Sequence, residues 1–135
     1  MANTKYPKGK EKILNKEIDF DTDTIKAALV DNTAAYNSAH EFWSSLSAKL
    51  VGSAVTLTTP SIALGIFDAD DVTFSAVSGA TPIGAIVLFK DTGSGATSPL
   101  IAWIDTVTGG AISVTPNGGD IQITWDNGAN KIFAI

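Results

Sequence analysis

From Val55 to the end of the chain, apolar residues either alternate with polar ones or gather in short runs, broken about every 8 to 15 residues by Gly, Pro, Asn or Asp. Val55–Thr58 alternates and stops at Thr59-Pro60, and Val72–Val77 alternates and stops at Ser78-Gly79. Each predicts a strand with one buried and one wet face. Two denser runs, Ile86–Phe89 and Leu100–Ile104, predict strands buried on both faces and joined as a hairpin. Their connection, Lys90–Pro99, is too polar and Gly-rich for a helix and is expected as an exposed tip. Ala111–Thr115, Asp120–Trp125 and Ile132–Ile135 complete the series, with Ile121, Ile123 and Trp125 on one face of the second. Upstream, the alternation of Ile25, Ala27 and Leu29 favours a strand over Ile25–Val30. Phe42, Trp43, Leu46 and Leu50 fall at helical spacing and predict one short helix over Glu41–Leu46, with Ser38 as a cap. The pattern implies an all-β fold, an antiparallel β-sandwich of jelly-roll type with one short helix. Residues 1–15 are polar and lysine-rich, with Pro7 and Gly9, and are expected as an extended N-terminal arm on a single domain of residues 16–135.

Composition narrows what such a domain does. With 135 residues and no cysteine, the chain is long enough for one disulfide-free core and has neither thiolate nucleophiles nor sulfur ligands for zinc. No apolar run is long enough to span a bilayer, so no membrane partner is expected. The net charge of −5 argues against direct nucleic-acid binding, which needs a basic surface. Every basic residue is lysine, so there is no guanidinium fork for phosphate or carboxylate. Five lysines lie at Lys5, Lys8, Lys10, Lys12 and Lys16, which suits an arm laid against an acidic neighbour. Charged residues make up 17% of the chain and mean hydropathy is +0.19, apolar enough to expect that a partner covers part of the surface. Lys5, Tyr6, Lys8, Lys10, Lys12 and Trp43 are the candidate partner-binding residues.

No constellation for catalysis, cofactor or metal stands out. Asp19-x-Asp21-x-Asp23 begins like a calcium loop, but Thr24 stands where the turn needs Gly and Val30 where a bidentate Glu is needed. Asp68, Asp70 and Asp71 form a second acidic cluster, better read as a solvated turn or charged edge than as a cation site. His40, the sole histidine, has no serine in a nucleophile-elbow context to serve. Gly93-Ser94-Gly95 and Thr108-Gly109-Gly110 lack the Lys-Ser/Thr of a phosphate loop and read as turns. Trp103 and Trp125 belong to apolar strand faces, whereas Trp43 beside Ser44-Ser45 is the indole expected at an interface or in a sugar platform.

Five segments in order, IDFDTDTIKAALV, HEFWSSL, FDADDVTFSAVSG, AIVLFKDTGSGATSPLIAWID and GGDIQITWDNGANKIFAI, resemble a family of small structural proteins of tailed bacteriophages. The resemblance covers nearly all of the chain after Ile13. It implies a non-enzymatic decoration, or cement, protein on the capsid exterior, binding the major capsid protein and neighbouring copies of itself, as a homodimer, and no catalytic residues carry over. A tail-associated adaptor and a virion-displayed carbohydrate-binding module are the alternative roles. On this reading, removing residues 1 to 12 is expected to weaken attachment and leave the domain folded.

Overall fold

The computed structural model describes residues 3–129 and 131–135. In chain order its elements are β1 (Thr4–Lys5), α1 (Pro7–Leu14), β2 (Ile25–Asp31), β3 (Leu50–Thr56), β4 (Ser61–Ala63), β5 (Ile66–Asp68), β6 (Val72–Phe74), β7 (Ile83–Lys90), β8 (Leu100–Ile104), β9 (Thr106–Val107), β10 (Gly110–Ala111), β11 (Ile121–Ile123) and β12 (Phe133–Ala134). The protein is mostly β and its sheets are antiparallel.

β2 shows why the large sheet forms. Ile25, Ala27 and Leu29 enter one buried cluster, while Ala28 and Val30 enter another on the opposite face. β7 repeats this division, with Ile86 and Leu88 on the first side and Ala85, Val87 and Phe89 on the second. Strands with both faces covered need apolar residues at successive positions, which is the composition of these runs. They form the centre of a five-stranded sheet ordered β1-β8-β7-β2-β3. β7 and β8 pair as expected, with Val87 opposite Trp103 and Leu88 opposite Ala102. Opposite β2, the register of β3 shifts between Ala27 and Leu29. Gly52, at φ +73°, supplies the left-handed backbone beside that bulge.

The first cluster joins this sheet to two smaller ones, β11-β6 and β12-β5-β4, through Phe67, Val72, Phe74, Trp125 and Phe133. A short ribbon pairs β9 with β10. The opposite face is covered by Tyr6 and by the excursion between β2 and β3, which brings Tyr36, Trp43 and Leu46 over Val87, Phe89 and Leu100.

Four expectations need correction. The N-terminal residues do not form an extended arm: β1 pairs with β8, Thr4 opposite Trp103, and α1 follows with Pro7 in its first turn. This helix lies so close to β8 that a Cβ on Gly9 would stand 2.3 Å from the carbonyl oxygen of Leu100. Met1 and Ala2 lie outside the described residues. Second, Glu41–Leu46 is not an α-helix; two 3-10 turns occupy Trp43–Ser45 and Ser47–Lys49. The backbone there is spent on the neighbouring loop, with Trp43 N–H donating to Ser98 O and Ser44 N–H to Gly95 O. Its serines add little helix propensity to oppose this.

Third, Lys90–Pro99 is exposed as expected at Thr92, Gly93, Ser94, Ala96 and Thr97, but those same bonds tie it down at Gly95 and Ser98. Ser98 is 1% exposed and its hydroxyl donates to Ser94 O at 2.7 Å. Lastly, residues 61–68, left without strands by the alternation pattern, form the β4–β5 hairpin. Its two-residue loop, Leu64-Gly65, has φ +54° and +76°, the positive pair of a type I′ turn. The strands expected over Val72–Val77 and Asp120–Trp125 are real but shorter, as β6 and β11, whereas Ala111–Thr115 is not a strand beyond Ala111 at the end of β10 and an isolated bridge from Val114 to Ile83. Ala76 turns left-handed at φ +50° and ends the first of them.

Candidate interaction surfaces

The six residues singled out from the sequence do not form one surface. Lys5 turns inward to the other end of the chain, its ammonium donating to Ala134 O at 2.9 Å and lying 5.6 Å from the Phe133 ring centroid. Tyr6 is wholly buried, its N–H donates to Ile101 O, and its ring lies 5.1 Å from that of Tyr36. Burial, reinforced by Tyr36, raises the Tyr6 phenol well above its ordinary pKa. Its hydroxyl has no hydrogen-bond partner among the described residues. Tyr6 is therefore a core residue and its ring is not presented to a partner.

Lys8 pairs with Glu11 along α1 at 3.3 Å, an exposed contact of small energetic weight. Lys12 bridges Glu41 at 3.2 Å and Glu17 at 3.5 Å and lies over Phe42. Burial works against its charge, but Glu41 and Glu17 outweigh that and raise its pKa. Lys12 thus fastens α1 to the segment before Trp43. Lys10 and Lys16 are exposed with no ion pair among the described residues. Trp43 is 8% exposed and stacks flat on Phe89, ring centroids 4.6 Å apart at an interplanar angle of 4°. An indole covered on its flat face by phenylalanine has no platform left for a sugar ring, which counts against the carbohydrate-binding alternative.

The acidic clusters are occupied by the fold itself. Asp23 accepts from Asp19 N–H at 2.7 Å and pairs with Lys90 at 3.0 Å, while Asp19 accepts from Asp21 N–H. That backbone bond, with the Thr22 hydroxyl, lowers the Asp19 pKa. In the second cluster Asp70 accepts from the Thr59 hydroxyl and Asp71 from Trp125 N–H, both at 2.9 Å. The Trp125 indole N–H donates to Asp70 O, so this cluster anchors the chain end of β11. Among the described residues, no three His, Cys, Asp or Glu side chains converge as a metal would require. The His40 backbone N–H donates to Asn37 O, and its buried Nδ1 has no hydrogen-bond partner among the described residues.

Two features of the surface went unread in the sequence. At the β4–β5 turn Leu64 is 98% exposed, with Ile62 and Ile135 also largely exposed beside it. Ile135 is placed there by its N–H bond to Gly65 O, 2.8 Å. A leucine at positive φ, fully in water, satisfies neither the backbone nor the core. The apolar run from Ile62 to Phe67, broken by Gly65, was the available signal. The other feature is a cleft of about 280 Å³ between β8 and the C-terminal segment, lined by Ile104, Ile123 and Trp125 together with Thr124, Asp126 and Lys131.

No family model, curated protein or solved structure matches the chain.

Proposed function

We propose that this is a structural protein of a tailed-bacteriophage virion that decorates the head by binding the major capsid protein. The large sheet, with β6, β11 and the β4-β5-β12 sheet sharing one of its buried faces, is read here as a β-sandwich of jelly-roll type. The observation that carries a contact role is the exposed apolar end at Ile62, Leu64 and Ile135. An apolar group of this kind in water, at a strained turn, is costly to a free protein and useful to one that is covered. Decoration of a shell by many copies would turn individually weak contacts into firm attachment. The attachment element proposed is this end of the molecule, since the N-terminal segment is part of the fold.

The role is tested by proteomics and cryo-EM reconstruction of purified virions of the phage that encodes the chain. Head-bound density in copy numbers comparable with the capsid protein is the expected result. A few copies at the tail would replace decoration by the tail-adaptor role, and absence from purified particles would overturn a virion role altogether.

A further inference from the structure

We propose that the open edge of β4 takes up an extended, uncharged segment of the partner protein as an added strand of the β12-β5-β4 sheet. The partner is the capsid protein of the reading above, on which this mode of attachment rests for the partner's name alone. What selects a strand is the backbone. A two-residue turn makes Ala63 and Ile66 a hydrogen-bonded pair, which leaves Ile62, opposite Phe67, at a non-hydrogen-bonded position. Phe67 accordingly turns its carbonyl the other way, accepting from Ile132 N–H at 3.2 Å. The N–H and C=O of Ile62 therefore point away from β5, and β4 is the last strand on that side.

The two edges of this sheet are treated differently. At β12 the Lys5 ammonium donates to the carbonyl oxygen of Ala134 at 2.9 Å, a charged group set against the edge. At β4 no such group intervenes: Ser61, Ile62 and Ala63 are all exposed and uncharged, with neither lysine nor proline within the strand. Side chains of an added strand alternate between the two faces, and pockets for alternate residues are what such sites use for specificity. On one face Ser61 and Ala63 are small and border a groove of about 170 Å³ whose walls include Leu64, Ile66 and Ala129. Asp68 and Lys131 line it too, one charge of each sign, so the groove sets no net charge for its occupant to match. On the other face the incoming residue meets Ile62. An uncharged aliphatic segment satisfies both faces and the backbone at once. The chain's own net charge of −5 opposes a second copy in that place.

The probe is a set of overlapping synthetic peptides that tile the capsid protein of the phage encoding the chain, titrated into the purified protein and followed by amide hydrogen exchange. At least one uncharged peptide is expected to slow exchange of Ile62 N–H at least about tenfold. Ile62→Pro, which removes that donor without touching the ladder to β5, should weaken binding at least about tenfold, whereas Ile62→Thr, which keeps the backbone and the branched Cβ, should weaken it less than about threefold. Ile62→Lys keeps the donor but sets a charge on the edge, and should weaken binding as proline does even if the proline variant melts below the parent. Peptides that leave Ile62 N–H exchanging freely, or that bind Ile62→Lys as tightly as the parent, overturn strand addition. So does protection of Ile62 that grows with protein concentration in the absence of peptide, which would put a second copy at the edge. A protein that coats virions with Ile62 N–H still exchanging freely overturns strand addition and leaves the decorating role; peptide-dependent protection in a protein absent from virions does the reverse.

Discussion

Two β-hairpins of this protein solve the same local problem and end in opposite places. The β7–β8 hairpin is buried on both faces, and its nine-residue connection is anchored at Ser98, 1% exposed. The β4–β5 hairpin closes with a two-residue turn and leaves its tip, Leu64, 98% exposed. In the first, a long polar loop is anchored by backbone bonds to the Trp43 segment; in the second, a short apolar loop projects. The difference teaches that apolar content alone does not locate the core. What locates it is whether another part of the chain is available to cover the strand, and here β2, β7 and β8 are the strands covered on both faces.

If cover is what makes the first hairpin the core, removing cover should cost more than trimming any exposed side chain. Tyr6 is part of that cover, packed with Val87, Phe89, Leu100 and Trp103. Tyr6→Ala should destabilise the protein by about 3–5 kcal/mol, the range for emptying a buried aromatic site. Denaturant unfolding followed by tryptophan fluorescence measures it, and a loss under about 1 kcal/mol would return residues 3–14 to the status of an appendage. The same reasoning reverses the expectation that residues 1–12 can be deleted without unfolding the domain.

A matched pair of truncations sharpens the comparison next. Leu88 in β7 is fully buried and Ile62 in β4 is 55% exposed. Leu88→Ala should lower stability by about 3 kcal/mol and Ile62→Ala by under about 1 kcal/mol, both read from denaturant midpoints at unchanged slope. Equal losses would mean that the β4–β5 hairpin belongs to the same packed unit as β7–β8.

The two hairpins also differ in how legible they were. The expected bounds of β8, Leu100 to Ile104, coincide with the strand observed, and β2 and β7 were placed within a few residues. Strands buried on both faces leave an unbroken apolar run, which survives any ambiguity of period. β4–β5 was missed because Leu64 stands at a turn position that the usual signals reserve for Asn, Asp or Gly. The helix α1 was missed for another reason. PKGKEKIL has little apolar periodicity, and what orders it is tertiary: Gly9 against the β8 backbone and Lys12 between Glu41 and Glu17. Trp43 was expected outside because serines flank it, yet its burial depends on Phe89 in β7, which local sequence does not announce. The candidate interaction surface was legible only as a general apolar excess, since its two halves come from distant parts of the chain.

The smallest expected effect concerns the charges that fix the β7–β8 connection. Lys26 on β2 pairs with Asp91 at 2.8 Å, and Asp91 also accepts from Gly93 N–H at 3.0 Å. The hydrogen bond from Lys26, with that from Gly93 behind it, holds the Asp91 carboxyl below the ordinary aspartate value. A carboxyl depressed in the folded state contributes stability that is complete above its unfolded pKa, about 3.9, and is lost as pH falls through the lower folded value. The loop should therefore stay fixed from neutrality down to about pH 4 and loosen below it. Because both side chains are partly in water, screening keeps the effect small and global stability should change little. Amide hydrogen exchange at Thr97 and Lys90, whose N–H groups bond to Ser94 O and Pro99 O, reads it directly. Protection, corrected for the intrinsic pH dependence of exchange, should fall over the interval below about pH 4 in the parent. In Asp91→Asn it should be lower at pH 7 and flat across that interval. A connection equally protected throughout that interval, with no change in Asp91→Asn, would show that backbone bonds to the Trp43 segment hold it alone, and that the contrast between the hairpins owes nothing to charge.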